Sequence, residues 1–404
     1  MPNERAAKAA VLLRGAAAGL AILCLGSAAQ AGGYDTGERD WDFLFQPDEF
    51  AVEAGTRYID PQRSLKNVVG IGAFYNGAFP TTASVREAAP FSVEHLNVKV
   101  TLAQALRCLG SYRQPWEGRA DYGSTWAGSA AAITQDFSSN DYGLTCAISA
   151  PLEMGNLVFF GGVSYQDIRY ELTQNAFMIA PGPTIVPLGV SRTDVKDDGV
   201  GWRIGMGYEI PQYALRATLT YNSAIDYDMA GTYTVAGLAQ AVTGQITMPQ
   251  SIQLKAQSGI APGWLAFGSI TWTDWSVVQQ MPLFNAASTQ VSGLTLLWKD
   301  TWTTTLGAAH QFNEAFSVAG SVTWDQGASQ GFTSQTDVWA ANLTGVWTPH
   351  KNVEFNLGGT VGIMTGGYAS TVTLPGGIPN PTGYTASFDA DMIYAVNASA
   401  KLHY

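Results

Sequence analysis

The chain has 404 residues and a formal charge of −11, with only 13% charged residues against 12 Trp, 17 Tyr, 17 Phe and 44 Gly. An acidic chain without a basic stripe lacks the electrostatic footprint of a nucleic-acid binder, so no nucleic-acid partner is expected. Past residue 31 no apolar run approaches the roughly 18 residues that a spanning helix needs, so any membrane crossing must be made by strands.

Met1–Ala31 reads as a secretory signal peptide. Arg5, Lys8 and Arg14 form its positive region, Ala16–Leu25 its apolar core, and Ala29-Gln30-Ala31 its cleavage site. Its removal takes away those three cations and Glu4, leaving the formal charge at −13. The following stretch, residues 32–49, is short, polar and irregular. It is expected to be either a periplasmic lead-in or a small plug, and in the second case Phe43, Leu44 and Phe45 would touch a lumenal ligand.

From Phe50 to Tyr404 the chain alternates with period two, the signature of half-buried strands. In Val200–Ile210, Val200, Trp202, Ile204, Met206 and Tyr208 share one face, while Arg203 and Glu209 lie with glycines on the other. The same alternation gives fourteen strands: Phe50–Ile59, Ser92–Thr101, Ala105–Trp116, Asp141–Leu152, Leu157–Tyr170, Val200–Ile210 and Leu215–Tyr227, then Ser251–Ile260, Leu265–Thr273, Thr301–Gln311, Phe316–Trp324, Val338–Trp347, Val353–Met364 and Thr385–Tyr404. Short turns such as Pro211–Ala214 and Ala261–Trp264 alternate with long loops such as Glu171–Gly199, Asp228–Gln250 and Asp274–Asp300. That rhythm, with an even strand count, predicts an all-β, membrane-spanning antiparallel barrel with its apolar face toward lipid and its polar face toward a lumen. Arg107, Arg113, Arg203, Arg216, Lys255 and Glu354 are expected to point inward. Trp116, Tyr170, Trp202, Tyr227, Trp272, Trp324 and Trp347 fall near strand ends, where interfacial girdles would sit.

Cys108 and Cys146 share the apolar face of strands expected to be neighbours, and export permits a bond between them. A disulfide and two free thiols both fit. The four histidines are scattered, no nucleophile elbow or metal-ligand spacing occurs, and no cofactor is expected. His310 and Ser317 illustrate the strand-assembled pairs that an outer-membrane lipid hydrolase would need.

The words Met248-Pro249-Gln250-Ser251, Trp272-Thr273-Asp274-Trp275-Ser276, Trp298-Lys299-Asp300-Thr301-Trp302, Leu306-Gly307-Ala308 and Trp324-Asp325 resemble the FadL-type outer-membrane transporters of long-chain fatty acids and other hydrophobic compounds. The resemblance implies a channel that works by diffusion, without ATP or cofactor, in a Gram-negative outer membrane. Its partners would be hydrophobic small molecules, chiefly fatty acids, and the surrounding lipid. The family's Asn-Pro-Ala hatch word is not matched at Gln46-Pro47-Asp48. The final strand ends on Tyr404, which resembles the signal read by the barrel-assembly machinery. Apolar loop residues Phe74, Tyr75, Phe79, Phe177, Met178 and Ile179, with Ile185, Val186 and Leu188, are the expected capture surface. A porin for small polar solutes is the alternative.

Overall fold

The computed structural model describes residues 33–37, 41–70, 80–180, 184–374 and 376–404. The predicted signal peptide, and Phe74, Tyr75 and Phe79, lie outside them. Fourteen antiparallel strands form one closed sheet. They are β1 (Phe50–Pro61), β2 (Phe91–Ala103), β3 (Leu106–Arg113, resuming as Gly118–Asp121), β4 (Thr134–Leu152), β5 (Gly155–Ala180), β6 (Thr184–Ile210) and β7 (Leu215–Asn222, then Ile225–Val235). There follow β8 (Leu238–Met248, then Ser251–Ala261), β9 (Trp264–Thr273, then Gln280–Asn285), β10 (Gln290–Thr295, then Thr301–Asn313), β11 (Phe316–Asp325), β12 (Val338–His350), β13 (Val353–Met364) and β14 (Asp391–His403). Pairing of β1 with both β2 and β14 closes the barrel. Among the described residues no helix is long and apolar enough to cross a membrane.

The barrel's outer surface is inverted relative to a water-soluble protein. Leu144, Phe159, Ile204, Leu254, Leu306 and Leu357 stand exposed on it, while Lys99, Arg203, Glu354 and Lys401 are buried inside. So large an apolar surface marks contact with lipid. Aromatic rows border the belt. Toward the long loops, Tyr112, Tyr142 and Tyr165 line up across three strands, with Trp202 against Tyr221 and Trp324 against Trp339. Toward the short turns, Trp264 lies on His310, Phe312 on Phe316 and Trp347 on Phe355.

Several expectations need correction. The stretch Glu171–Gly199 is not a loop: β5 and β6 run on as one long hairpin, paired from Asn156↔Glu209 to Ala180↔Thr184. Asp228–Gln250 is likewise the extension of β7 and β8. Trp116, Tyr170 and Tyr227 do not belong to the outer girdle. Tyr170 and Tyr227 are each 1% exposed in the interior cluster, and Trp116 packs against that cluster. Thr385–Tyr404 is not one strand either. Tyr384–Phe388 pairs with Ser64–Gly70 in a separate small sheet, and the barrel strand starts only at Asp391. The cysteine alternatives resolve to a disulfide: Cys108 and Cys146 are direct cross-strand partners and are bonded. His310 falls on the outward parity of β10 and Ser317 on the inward parity of β11, so the hydrolase pair is not assembled.

Candidate functional site

The lumen has two levels. The level near the short turns is packed. Trp41–Phe45 forms one 3-10 turn whose side chains are all buried, in a cluster with Ala51, Leu109, Ala147, Val158 and Phe160. Inward cations hold it. Arg107 and Arg216 both lie over the Phe45 ring, at 5.1 and 4.8 Å from its centre, and Arg203 lies 5.5 Å from Trp41. Lys255 pairs with Asp42, and Lys99 donates to the Gln46 carbonyl at 2.8 Å. Phe43, Leu44 and Phe45 are therefore buried among inward-facing side chains of the barrel. The remaining inward charges are also engaged: Arg107 with Glu209 (3.5 Å), Arg113 with Asp141 (3.1 Å) and Lys401 with Glu354 (2.9 Å).

Above this level Gly33–Thr36 crosses the gap where β3 is interrupted. The Thr36 amide donates to the Pro115 carbonyl, and the Glu117 amide donates to the Tyr34 carbonyl, both at 3.0 Å. Tyr34 then stacks on Phe137 at 4.6 Å and meets Trp298 edge-on at 5.0 Å. Gly33 is required here, because a Cβ would fall 2.6 Å from the Trp298 ring and the backbone sits at φ +71°.

The two Trp-rich words explain how the wall turns inward. Trp272 and Trp302 are register partners on the outer face. Three residues on, a 3-10 turn at Trp275–Val277 interrupts β9, and Trp275 and Trp298 are fully buried, perpendicular to each other at 5.0 Å. The aspartate of the second word satisfies a backbone amide freed by the interruption. The Ser276 amide donates to Asp300 at 3.1 Å, and the Trp272 indole reaches the same carboxylate at 3.3 Å.

Beside Tyr34 lies a chamber of about 590 Å³, within the range of about 300–1,000 Å³ usual for ligand sites. Its apolar walls come from Tyr34, Tyr122, Trp126, Met281, Leu294 and Phe332, and its polar side from Arg63, Glu87, Glu117 and Gln135. Burial raises the Glu87 carboxyl above its usual range and moves Glu117 to about 8. Among the described residues, none of the capture residues expected from the sequence lines it. Phe43, Leu44 and Phe45 lie in the packed level below. Phe177 packs on Ala130 and Ile185, while Met178 and Ile179 stand 53% and 47% exposed at the far end of the β5–β6 hairpin. The chamber aromatics escaped the sequence reading because each is isolated among polar neighbours. Tyr34 alone carried a signal, as it follows two glycines just beyond the predicted cleavage site.

Closed strand number, lipid-facing belt, aromatic girdles and engaged lumenal charges define an outer-membrane β-barrel protein. The family model "Outer membrane protein transport protein (OMPP1/FadL/TodX)" matches residues 6–359, and the chain belongs to that family. It is 20% identical over 237 residues to a long-chain fatty acid transport protein of Salmonella typhi, a match covering 51% of this chain and 53% of that one. It is 24% identical over 149 residues to the protein of that name from Escherichia coli, covering 31% and 32%. The chain thus spans at most about half the length of these curated relatives. Its fold matches a Pseudomonas aeruginosa FadL homologue with a TM-score of 0.79 at 14% identity, over 94% of this chain and 97% of the other. It matches the P. putida toluene transporter TodX with a TM-score of 0.63 at 13% identity, over 94% and 99%.

Proposed function

We propose that this protein is a diffusive channel for hydrophobic molecules, chiefly long single-chain compounds such as fatty acids. The chamber carries the reading: its volume suits a chain of many methylenes rather than one aromatic ring, and each methylene moved from water contributes about 0.8 kcal/mol. Its place between the long-loop rim and the packed level suits capture from outside. Met178, Ile179 and Val186, exposed at the hairpin's far end, serve as the first contact for such a solute. The segment 32–49 acts as a plug in this account, supported by the burial of Trp41–Phe45 and by the cations gripping them. Those same pairings disfavour the porin reading, which needs lumenal charge available to water.

The test is transfer of a fluorescent long-chain fatty acid into liposomes bearing the refolded protein. Saturable transfer well above that of protein-free liposomes is expected, and transfer no faster than theirs overturns the reading.

A further inference from the structure

Glu87 is a buried carboxyl on the chamber wall, held from three sides. Its amide donates to the Arg63 carbonyl at 2.9 Å, and its own carbonyl accepts from the Asp121 amide at 3.1 Å. The Tyr122 hydroxyl donates to Oε1 at 3.0 Å, and the Ser334 side chain lies near the carboxyl. Oε2 is buried and has no partner. A fixed, buried polar atom left unmatched is costly, and a ligand group that bonds it recovers that cost.

The charges around Oε2 decide which group. The cations lining the chamber among the described residues are Arg63 and Arg119. Arg63 donates to the Asp389 carbonyl at 2.9 Å and to Thr336 at 2.8 Å, and lies 3.6 Å from Asp391. Arg119 is bridged to Asp136 at 2.7 Å. Glu117, the second carboxyl on the wall, accepts the Ser139 amide at 3.2 Å. An ionised head would have to give up its water in a chamber whose two cations are already matched, and one hydrogen bond does not offset that loss.

We infer that the chamber is a head-group site for long-chain molecules whose polar end is uncharged and accepts a hydrogen bond, such as a fatty alcohol or ketone, with Glu87 Oε2 as the donor. The inference rests on the hydrophobic-uptake reading and narrows its substrate class. An un-ionised carboxyl fits the same site, whereas a carboxylate does not. Burial, which favours the protonated form of Glu87, supplies the proton that such donation needs.

The test is equilibrium dialysis of radiolabelled oleyl alcohol and of oleate against the refolded full-length mature protein in detergent at pH 8. The alcohol is expected to bind about tenfold or more tightly than oleate, the equivalent of one well-made hydrogen bond. Glu87→Val is expected to lower the alcohol's affinity about tenfold. Glu87→Gln retains a donor and should stay within a factor of about three, which separates loss of donation from loss of fold. Oleate binding as tightly as the alcohol, or alcohol binding indifferent to Glu87→Val, overturns the inference and leaves hydrophobic uptake standing. Binding of neither ligand overturns both.

Discussion

Strands β5 and β7 face the same difficulty and meet it in opposite ways. Within the lipid belt the apolar face must point out, whereas above it, in water, the apolar face must point in. In β5 the backbone is continuous and the buried side chains keep to even numbers, from Val158 and Phe160 to Tyr170 and Leu172. It is the sequence that switches. Phe159, Val163 and Tyr165 give way on the outward parity to Arg169, Glu171 and Thr173, while the inward parity turns from Ser164 and Gln166 to Ile168 and Tyr170. In β7 the apolar residues keep one parity, Leu219, Tyr221, Ile225, Tyr227 and Met229, and the backbone switches. A break at Ser223–Ala224 turns the last three inward. There the Trp202 amide donates to the Ser223 hydroxyl at 3.0 Å and the Ser223 amide to the Trp202 carbonyl at 2.9 Å, so the break is hydrogen-bonded. Two neighbouring regions of one wall thus show that alternation reports solvent, not continuity of a strand.

The largest expected effect lies where the two regimes meet. Asp141, fully buried, is 3.1 Å from Arg113 and 3.8 Å from Arg203 and accepts Gln166 at 2.9 Å. Asp141→Ala removes the buried carboxylate that both guanidinium groups face and should cost about 3–5 kcal/mol, read by urea unfolding in lipid vesicles. A loss below 1 kcal/mol would show that water reaches this level. Next is Leu306→Arg, on the lipid face of β10, expected to cost about 2–4 kcal/mol near the bilayer centre. The same change at Thr173, on the outward parity of β5 above the belt, should cost little. Equal costs would erase the boundary drawn between the two regions.

Smaller is the pH response of Glu117, which sits in the β3 interruption above the aromatic row. Its folded-state value of about 8 is raised by burial, so between the ordinary carboxyl range and about 8 the folded protein holds more protons than the unfolded one. Its share of stability is therefore present below that window and is lost as pH rises through about 8. Glu117→Gln should flatten this part of the melting-temperature profile between pH 5 and 9, and a variant that still declined in parallel with the parent would contradict the assignment. Smallest is Asp194→Asn, which removes the surface pair to Arg169 on the outer side of the β5–β6 hairpin, at 2.7 Å and about half exposed on both partners. The expected cost is about 0–1 kcal/mol, diminished further by salt.

The belt was legible because lipid outside and polar lumen inside impose one unbroken contrast on each strand. Val353–Met364 was read to the residue, and the fourteen strands emerged from alternation. Above the belt the contrast reverses, and the two reversals misled in two ways. The inverted pattern past Tyr170 looked like a loop, and the preserved pattern past Tyr221 placed Tyr227 on the wrong face. The chamber was least legible. Tyr34, Tyr122, Trp126 and Phe332 come from four separate segments that only the closed barrel brings together, and a capture surface sought among clustered apolar loop residues passes over each of them. The Trp-rich words carried the family resemblance, yet half of their tryptophans face lipid and half wall the interior. Only the 3-10 turn at Trp275–Val277 decides which.

The central claim, a barrel closed to ions at its packed level and open to hydrophobic molecules above it, is tested most directly by planar-bilayer conductance. The intact protein would be compared, with and without oleyl alcohol, against a chain lacking residues 32–47. The account predicts small currents from the intact protein and a sharp rise on deletion, as removal of Trp41–Phe45 opens the space between Arg107, Arg203 and Arg216. A large, steady current through the intact protein, unchanged by the deletion, would contradict it.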